Sequence, residues 1–140
     1  MIFEEEPAGA RGPYSGREFD PELAGGPIRR LSVERVRITD RGIDVVSTHV
    51  ARSRPDLPNA RMFGQLREIS KGKRPATRYD LNFYTHELRE FVRYRRLGWP
   101  VDQPHDPDVA NELWNHAHTA SLEGYGLPAA GGLYHPSVVP

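Results

Sequence analysis

Hydrophobic residues recur at spacings of three and four along four stretches of this chain, which is the pattern of amphipathic helices. The first helix is predicted across residues 41 to 53, with a cap at Thr39 or Asp40, and the second across residues 59 to 70. Their buried faces would be formed by Ile43, Val46 and Val50 in the first helix and by Met62, Leu66 and Ile69 in the second.

The third and fourth helices carry stronger start signals. Thr77 followed three residues later by Asp80 is a capping box with Asp in place of Glu, and it predicts a helix to about residue 97. Asp106, with proline at the first helical position after it, predicts a fourth helix that ends at Gly124 or Gly126.

The remaining segments lack this pattern. Residues 1–28 are rich in glycine, proline and charge and predict an extended or disordered arm, whereas residues 29–140 form a single helical domain. Residues 31–38 match neither period well, so a short strand and a helical turn are both open. The tail from residue 127 is predicted to be irregular. The fold class is therefore mainly α, a small bundle of about four helices.

Composition excludes several classes of protein. The chain has 140 residues, enough for one domain, and its 19 basic and 19 acidic residues give no net charge to attract nucleic acid or an anionic membrane as a whole. It has no cysteine, which excludes disulfides and thiolate metal sites. No apolar run approaches the length of a membrane span, and the first residues do not resemble a signal peptide, so no membrane partner is expected.

The third helix has apolar residues on two sides. Its expected core face is formed by Leu81, Tyr84, Leu88, Phe91 and Val92. The opposite side carries Phe83, Tyr94 and Leu97 together with His86, Glu87 and Glu90, where a solvated face would carry lysine and glutamine. A second packed surface is implied.

His86, Glu87 and Glu90 form the first candidate site. His86 and Glu90 are four residues apart and therefore neighbours on the helix surface, with Glu87 beside both. Two carboxylates near an imidazole and aromatic walls suit general acid and base catalysis. The alternative is an ordinary surface pair of histidine and glutamate.

Three further histidines are candidates for the same site. His118 in the fourth helix and His49 in the first lie at the border of an apolar stripe, and His135 follows Tyr134 in the tail. Each alone is most often a structural residue. Their coincidence with His86 favours a shared cleft, whereas His105 and His116 are expected on the surface.

Basic and aromatic residues nearby could hold a substrate. The RYRR run at 93–96 forms a basic stripe with a preceding arginine, although such a run is often only a solvated helix face. The candidate substrate-binding residues are Arg89, Arg93, Tyr94 and Tyr134.

The stretches FYTHELREFVRYRRLGW, NHAHTASLEGYGL and LYHP, preceded by GIDVVSTHV, resemble the C-terminal domains of bacterial polymorphic toxins of the Rhs and filamentous-haemagglutinin types. The resemblance covers roughly residues 31–138. It implies an effector module that is delivered as part of a larger secreted protein, acts in a target cell's cytoplasm, and is neutralised by an immunity protein. Many such modules are nucleases. The resemblance adds one residue, Glu123, which the helical wheel places toward solvent. The other matched positions are His49, His86, Glu87, Glu90, His118, Tyr134 and His135.

Three functions remain open from the sequence. The first is a metal-independent ribonuclease in which His86 and His118 are base and acid in either order, Glu87 or Glu90 orients the base, and Arg89 or Arg93 contacts phosphate. The second is a metallohydrolase in which His86, Glu90 and His118 bind a divalent metal such as zinc, with Glu87 acting on bound water. The third is a non-catalytic helical module that binds a partner protein. A nucleotidyl or ADP-ribosyl transferase ranks lower, because the chain has no glycine-rich phosphate loop.

Overall fold

A computed structural model describes residues 10–52 and 56–138. Within these residues the chain is mainly helical, as predicted, with four α-helices: α1 Asp40–Val50, α2 Leu57–Ser70, α3 Arg78–Arg96 and α4 Pro107–Tyr125. A two-stranded antiparallel hairpin, β1 Ala10–Arg11 and β2 Glu18–Phe19, precedes them, and short 3₁₀ turns lie at Pro21–Leu23 and Pro136–Val138. Among the described helices, none is both long and apolar enough to cross a membrane.

The helices begin where the capping signals place them. The Thr39 side chain accepts from the backbone N–H of Gly42 at the start of α1, and Thr77 and Asp80 form the complete capping box of α3. Helix α2 begins two residues earlier than predicted because Asp56 caps it. The predicted end of the first helix at residue 53 lies outside the described residues, and α1 ends at Val50.

The possible strand at residues 31–38 is wrong. This segment is fully described and contains no strand; the backbone N–H of Leu31 donates instead to the carbonyl of Gly124 in α4. Its apolar side chains are instead packed onto the helices. Val33 is buried, and Val36 and Ile38 pack against the core cluster of α1, α2 and α3.

Helix α3 is the centre of the bundle and contacts the other three helices. The predicted core face is therefore only partly right: Tyr84 is buried, but Leu88 and Phe91 are only half-buried. The opposite face, with Phe83, His86, Glu90 and Tyr94, is the deeply buried one. The implied second packed surface is confirmed, and it is the main one because α1 and α4 cover it.

The described part of the N-terminal arm, residues 10–28, contains the hairpin and a 3₁₀ turn and is docked on α4. Glu123 is buried and accepts hydrogen bonds from the backbone N–H groups of Tyr14 and Ser15, at 3.2 and 2.7 Å. The prediction that Glu123 faces solvent is wrong. The helical wheel considers α4 alone and cannot include the arm that covers this side of the helix. Phe19 and Ala24 are also buried and pack with Ala120 of α4.

Candidate active site

The carboxylate of Glu90 is surrounded by three imidazoles. Its Oε1 lies 2.8 Å from Nε2 of His49, and its Oε2 lies 2.6 Å from Nε2 of His86 and 2.8 Å from Nδ1 of His118. The two imidazoles on Oε2 also contact each other, with 2.9 Å between Nε2 of His86 and Nδ1 of His118. We call Glu90 and these three histidines the Glu90 cluster.

The cluster is assembled from three helices. His86 and Glu90 lie one turn apart on the buried face of α3, which is why their side chains meet. His49 comes from the last turn of α1, and His118 comes from α4 on the other side of α3. Since α3 lies between α1 and α4, its inward face brings Glu90 within reach of both neighbouring histidines.

A second layer of contacts fixes the histidine rings. The guanidinium Nε of Arg52 donates to Nδ1 of His49 at 2.9 Å, and the same side chain donates to the backbone carbonyls of Trp99 and Pro100. Nδ1 of His49 is therefore an acceptor, so its Nε2 carries the proton and donates to Glu90. On the far side, the ring of His118 stacks on Trp114 with 4.3 Å between centroids.

Burial and neighbouring charges give the carboxyl groups of Glu90 and Glu87 different pKa values. Burial alone would raise the pKa of Glu90, but attraction to His86 and hydrogen bonds from the three histidines hold that pKa well below its ordinary value. Glu87 lacks such partners; its Oε1 lies 3.7 Å from Nε2 of His49. Burial and the nearby charge of Glu90 raise the pKa of Glu87 to about 8. Glu90 is therefore the fixed anion, and Glu87 is the carboxyl that exchanges a proton near neutral pH.

The Glu90 cluster forms one wall of a cavity of about 540 Å³. Glu87 and His118 both line the cavity, whereas the fully buried His86 does not. The other ring nitrogen of His118, Nε2, has no hydrogen-bond partner among the described residues. The remaining lining residues are Arg17, His49, Val50, Arg52, Asp56, Asn59, Glu90, Tyr94, Trp114, Ala129, Ala130, Gly131, Leu133 and Tyr134.

The structure brings together most of the residues that the sequence singled out. His49, His86, Glu87, Glu90 and His118 meet within the site, and Tyr94 and Tyr134 lie on the cavity wall. Tyr134 is held there because its hydroxyl donates to Oδ1 of Asn59 at 2.8 Å.

His135, Arg89 and Arg93 do not lie on the cavity wall. His135 contacts the ring of Tyr79 instead, because the tail turns its side chain away after Tyr134. Arg93 is buried, and its guanidinium donates to the carbonyls of Ala24, Gly26 and Pro27, so it holds the arm rather than facing the cavity.

Three residues of the site were missed from the sequence. Arg52 lies three residues after His49, a spacing that brings helical side chains together, and this signal could have found it. Trp114 lies four residues before His118, and the same rule applies. Arg17 comes from the arm, where it donates to Thr119 and Asn115 of α4, and no local pattern could have placed it.

Comparison with models of known protein families, with curated protein sequences and with solved structures gives no match for this chain.

Proposed function

We propose that this chain is a ribonuclease that cleaves single-stranded RNA, and that the Glu90 cluster and Glu87 are its catalytic centre. The observation that carries the proposal is the burial of a carboxylate among three imidazoles directly behind the wall of an open cavity. A bundle of this size gains more stability from apolar side chains at such positions, because buried charges are costly to desolvate. Groups of this kind collect at functional sites.

Two groups of the site are free to act on a substrate in the cavity. Glu87 has no imidazole within hydrogen-bonding distance of its carboxyl, and His118 has Nε2 without a partner among the described residues. In the proposed reaction the 2′-hydroxyl of the ribose attacks phosphorus and the bond to the 5′-oxygen breaks. Glu87 gives its proton to the departing oxygen, and His118 Nε2 contacts a phosphate oxygen. The attacking hydroxyl releases its proton to solvent, and the cut strand is left with a 2′,3′-cyclic phosphate. The Glu90 cluster would hold the agent that activates this hydroxyl.

The size of the cavity favours single-stranded RNA over double-stranded RNA as the substrate. A volume of about 540 Å³ is typical of a site for a small ligand and accepts a nucleotide rather than a double helix. Its wall offers the ring of Tyr134 for contact with a base, and the guanidinium of Arg17, which lies over the Trp114 ring, for contact with phosphate.

The biological setting rests on the resemblance to toxin C-terminal domains. On this proposal the chain is an antibacterial effector that is delivered as part of a larger secreted protein, cleaves RNA in the target cytoplasm, and is blocked by a cognate immunity protein. Induced expression inside a bacterium should arrest growth, and Glu90→Gln should relieve the arrest at equal protein level.

The direct test is cleavage by the purified chain. We expect single-stranded RNA to be cut faster than duplex RNA or plasmid DNA, and Glu87→Gln and His118→Ala each to lower the rate by about 10²-fold or more. Two matched variants serve as controls: Glu112→Gln replaces an exposed carboxylate of α4, and His105→Ala replaces an exposed histidine. The proposal fails if no nucleic acid is cut, or if Glu87→Gln and Glu112→Gln have equal activity.

A further inference from the structure

We propose that Nε2 of His86, Nδ1 of His118 and Oε2 of Glu90 bind one divalent transition-metal cation of the zinc class. The inference rests on the same site as the proposed nuclease and names the agent that activates the attacking hydroxyl. These three atoms form a triangle with sides of 2.6, 2.8 and 2.9 Å.

With Glu90 ionised, protons fit this triangle only with crowding or with an unmatched lone pair. If both imidazoles donate to Glu90, their two hydrogens are forced together, because the nitrogens are only 2.9 Å apart. If His86 instead donates to His118, the acceptor lone pair of His118 faces a carboxylate oxygen at 2.8 Å. A cation at the centre removes the conflict, since each of the three atoms then presents a lone pair to it.

The donor set selects the class of ion. Two imidazole nitrogens and one carboxylate oxygen are typical ligands of Zn²⁺ and its first-row neighbours, whereas Mg²⁺ and Ca²⁺ prefer oxygen alone. Bonds of about 2.0–2.1 Å in a tetrahedral site would hold ligand atoms about 3.3 Å apart. To admit the ion, His86 needs to move from Glu90 by about 0.7 Å and His118 by about 0.5 Å, and the two rings need to separate by about 0.4 Å.

His49 is a supporting residue and not a fourth ligand. A metal on its Nε2 would require a proton on Nδ1, but the N–H of Arg52 already points at Nδ1 from 2.9 Å. His49 therefore donates to Oε1 of Glu90 and leaves Oε2 for the cation. A histidine that orients a metal-binding carboxylate in this way is a usual feature of metal sites. For the same reason His49, Glu87 and Glu90 do not form a second metal site.

The open side of the site faces the substrate. His118 is on the cavity wall and His86 lies behind it, so a fourth ligand would enter from the cavity, near Glu87. A zinc-class ion lowers the pKa of a bound water or hydroxyl to near neutrality. The attacking hydroxyl would then lose its proton to solvent as it binds the ion, and the proton that the leaving oxygen needs would come from Glu87.

The test is a metal titration of the intact chain, first stripped with a chelator. Calorimetry with Zn²⁺ and the visible absorption of Co²⁺ should both give one ion per chain. His118→Ala and His86→Ala should weaken binding by about 100-fold or more, and His49→Ala by about 10–100-fold, as loss of a supporting residue does. His105→Ala, at an exposed position, should bind as the wild type does.

Failure of this inference differs from failure of the proposed function. No stoichiometric binding by the wild type, or unchanged binding by His118→Ala, overturns the metal site even if RNA is cleaved. One bound ion without cleavage of any nucleic acid supports the metal site and refutes the nuclease. His86 is fully buried and its replacement could unfold the chain. His118, at the cavity wall, and the wild-type titration keep the inference testable in that case.

Discussion

Replacing Arg93 with methionine tests whether Arg93 stabilises the fold or binds the substrate. Arg93 is 1% exposed, and its guanidinium donates at 3.0, 2.8 and 3.1 Å to three carbonyls of the arm, those of Ala24, Gly26 and Pro27. Methionine keeps an unbranched stem as long as the Cβ–Nε part of arginine but removes the guanidinium and every donor. We therefore expect the arm to loosen while the cavity keeps its shape.

The size of the effect follows from two opposed terms. Hydrogen bonds to a charged group contribute roughly 1.5–3 kcal/mol each, so three of them favour folding by about 5–9 kcal/mol. Burial, together with repulsion from Arg89 and Arg96, lowers the pKa of Arg93 from its ordinary value to about 10, which corresponds to a cost of about 3 kcal/mol for the buried charge. In the variant the arm can lift and expose its carbonyls to water, which limits the loss. We expect Arg93→Met to lower the free energy of unfolding by about 3 kcal/mol.

Urea denaturation measures this loss, and limited proteolysis at the exposed Arg29 and Arg30 reports release of the arm segment beside Arg93. Arg17 should stay in place, because Thr119 and Asn115 hold it on α4. Arg96→Met is the matched control, because Arg96 is exposed and makes one bond of 3.3 Å to the arm, at Gly25. The control should lose less than about 1 kcal/mol. Equal stability of Arg93→Met and wild type would refute the reasoning, as would loss of RNA cleavage by a variant that remains fully folded.

Two other predictions concern stability. Gly42→Ala should destabilise the chain by about 2 kcal/mol, because the new Cβ would overlap the hydroxyl of Tyr84. Gly64→Ala should stabilise α2 by about 0.5–1 kcal/mol, because there is open space around Gly64. Thermal melts in which both variants shift the melting temperature in the same direction would contradict this. In the metal-free chain the raised pKa of Glu87 contributes stability below pH 4.5 that is lost as the pH rises through about 8, and the full loss corresponds to roughly 5 kcal/mol. Glu87→Gln should remove this loss, so between pH 4.5 and pH 8.5 its free energy of unfolding should rise by at least about 2 kcal/mol relative to that of the wild type. The prediction is wrong if denaturation curves recorded in chelator show the same pH dependence for both chains.

The sequence by itself determined the helices and the local part of the site. Caps at Thr39, Thr77 and Asp106 and the apolar spacing place the helix starts, because these signals act between residues less than two turns apart. For the same reason the meeting of His86 and Glu90 on α3 was predictable, since four residues along a helix fix their distance.

Only the tertiary structure decided what surrounds that pair. Which face of α3 is buried depends on α1 and α4, and no periodicity within α3 contains that information. Glu90 meets His49 and His118 through packing between helices, Glu123 is buried because the arm covers it, and His135 turns away at the end of the tail. Each of these contacts joins residues far apart in the chain, where side-chain direction and neighbouring elements, rather than spacing, set the distance.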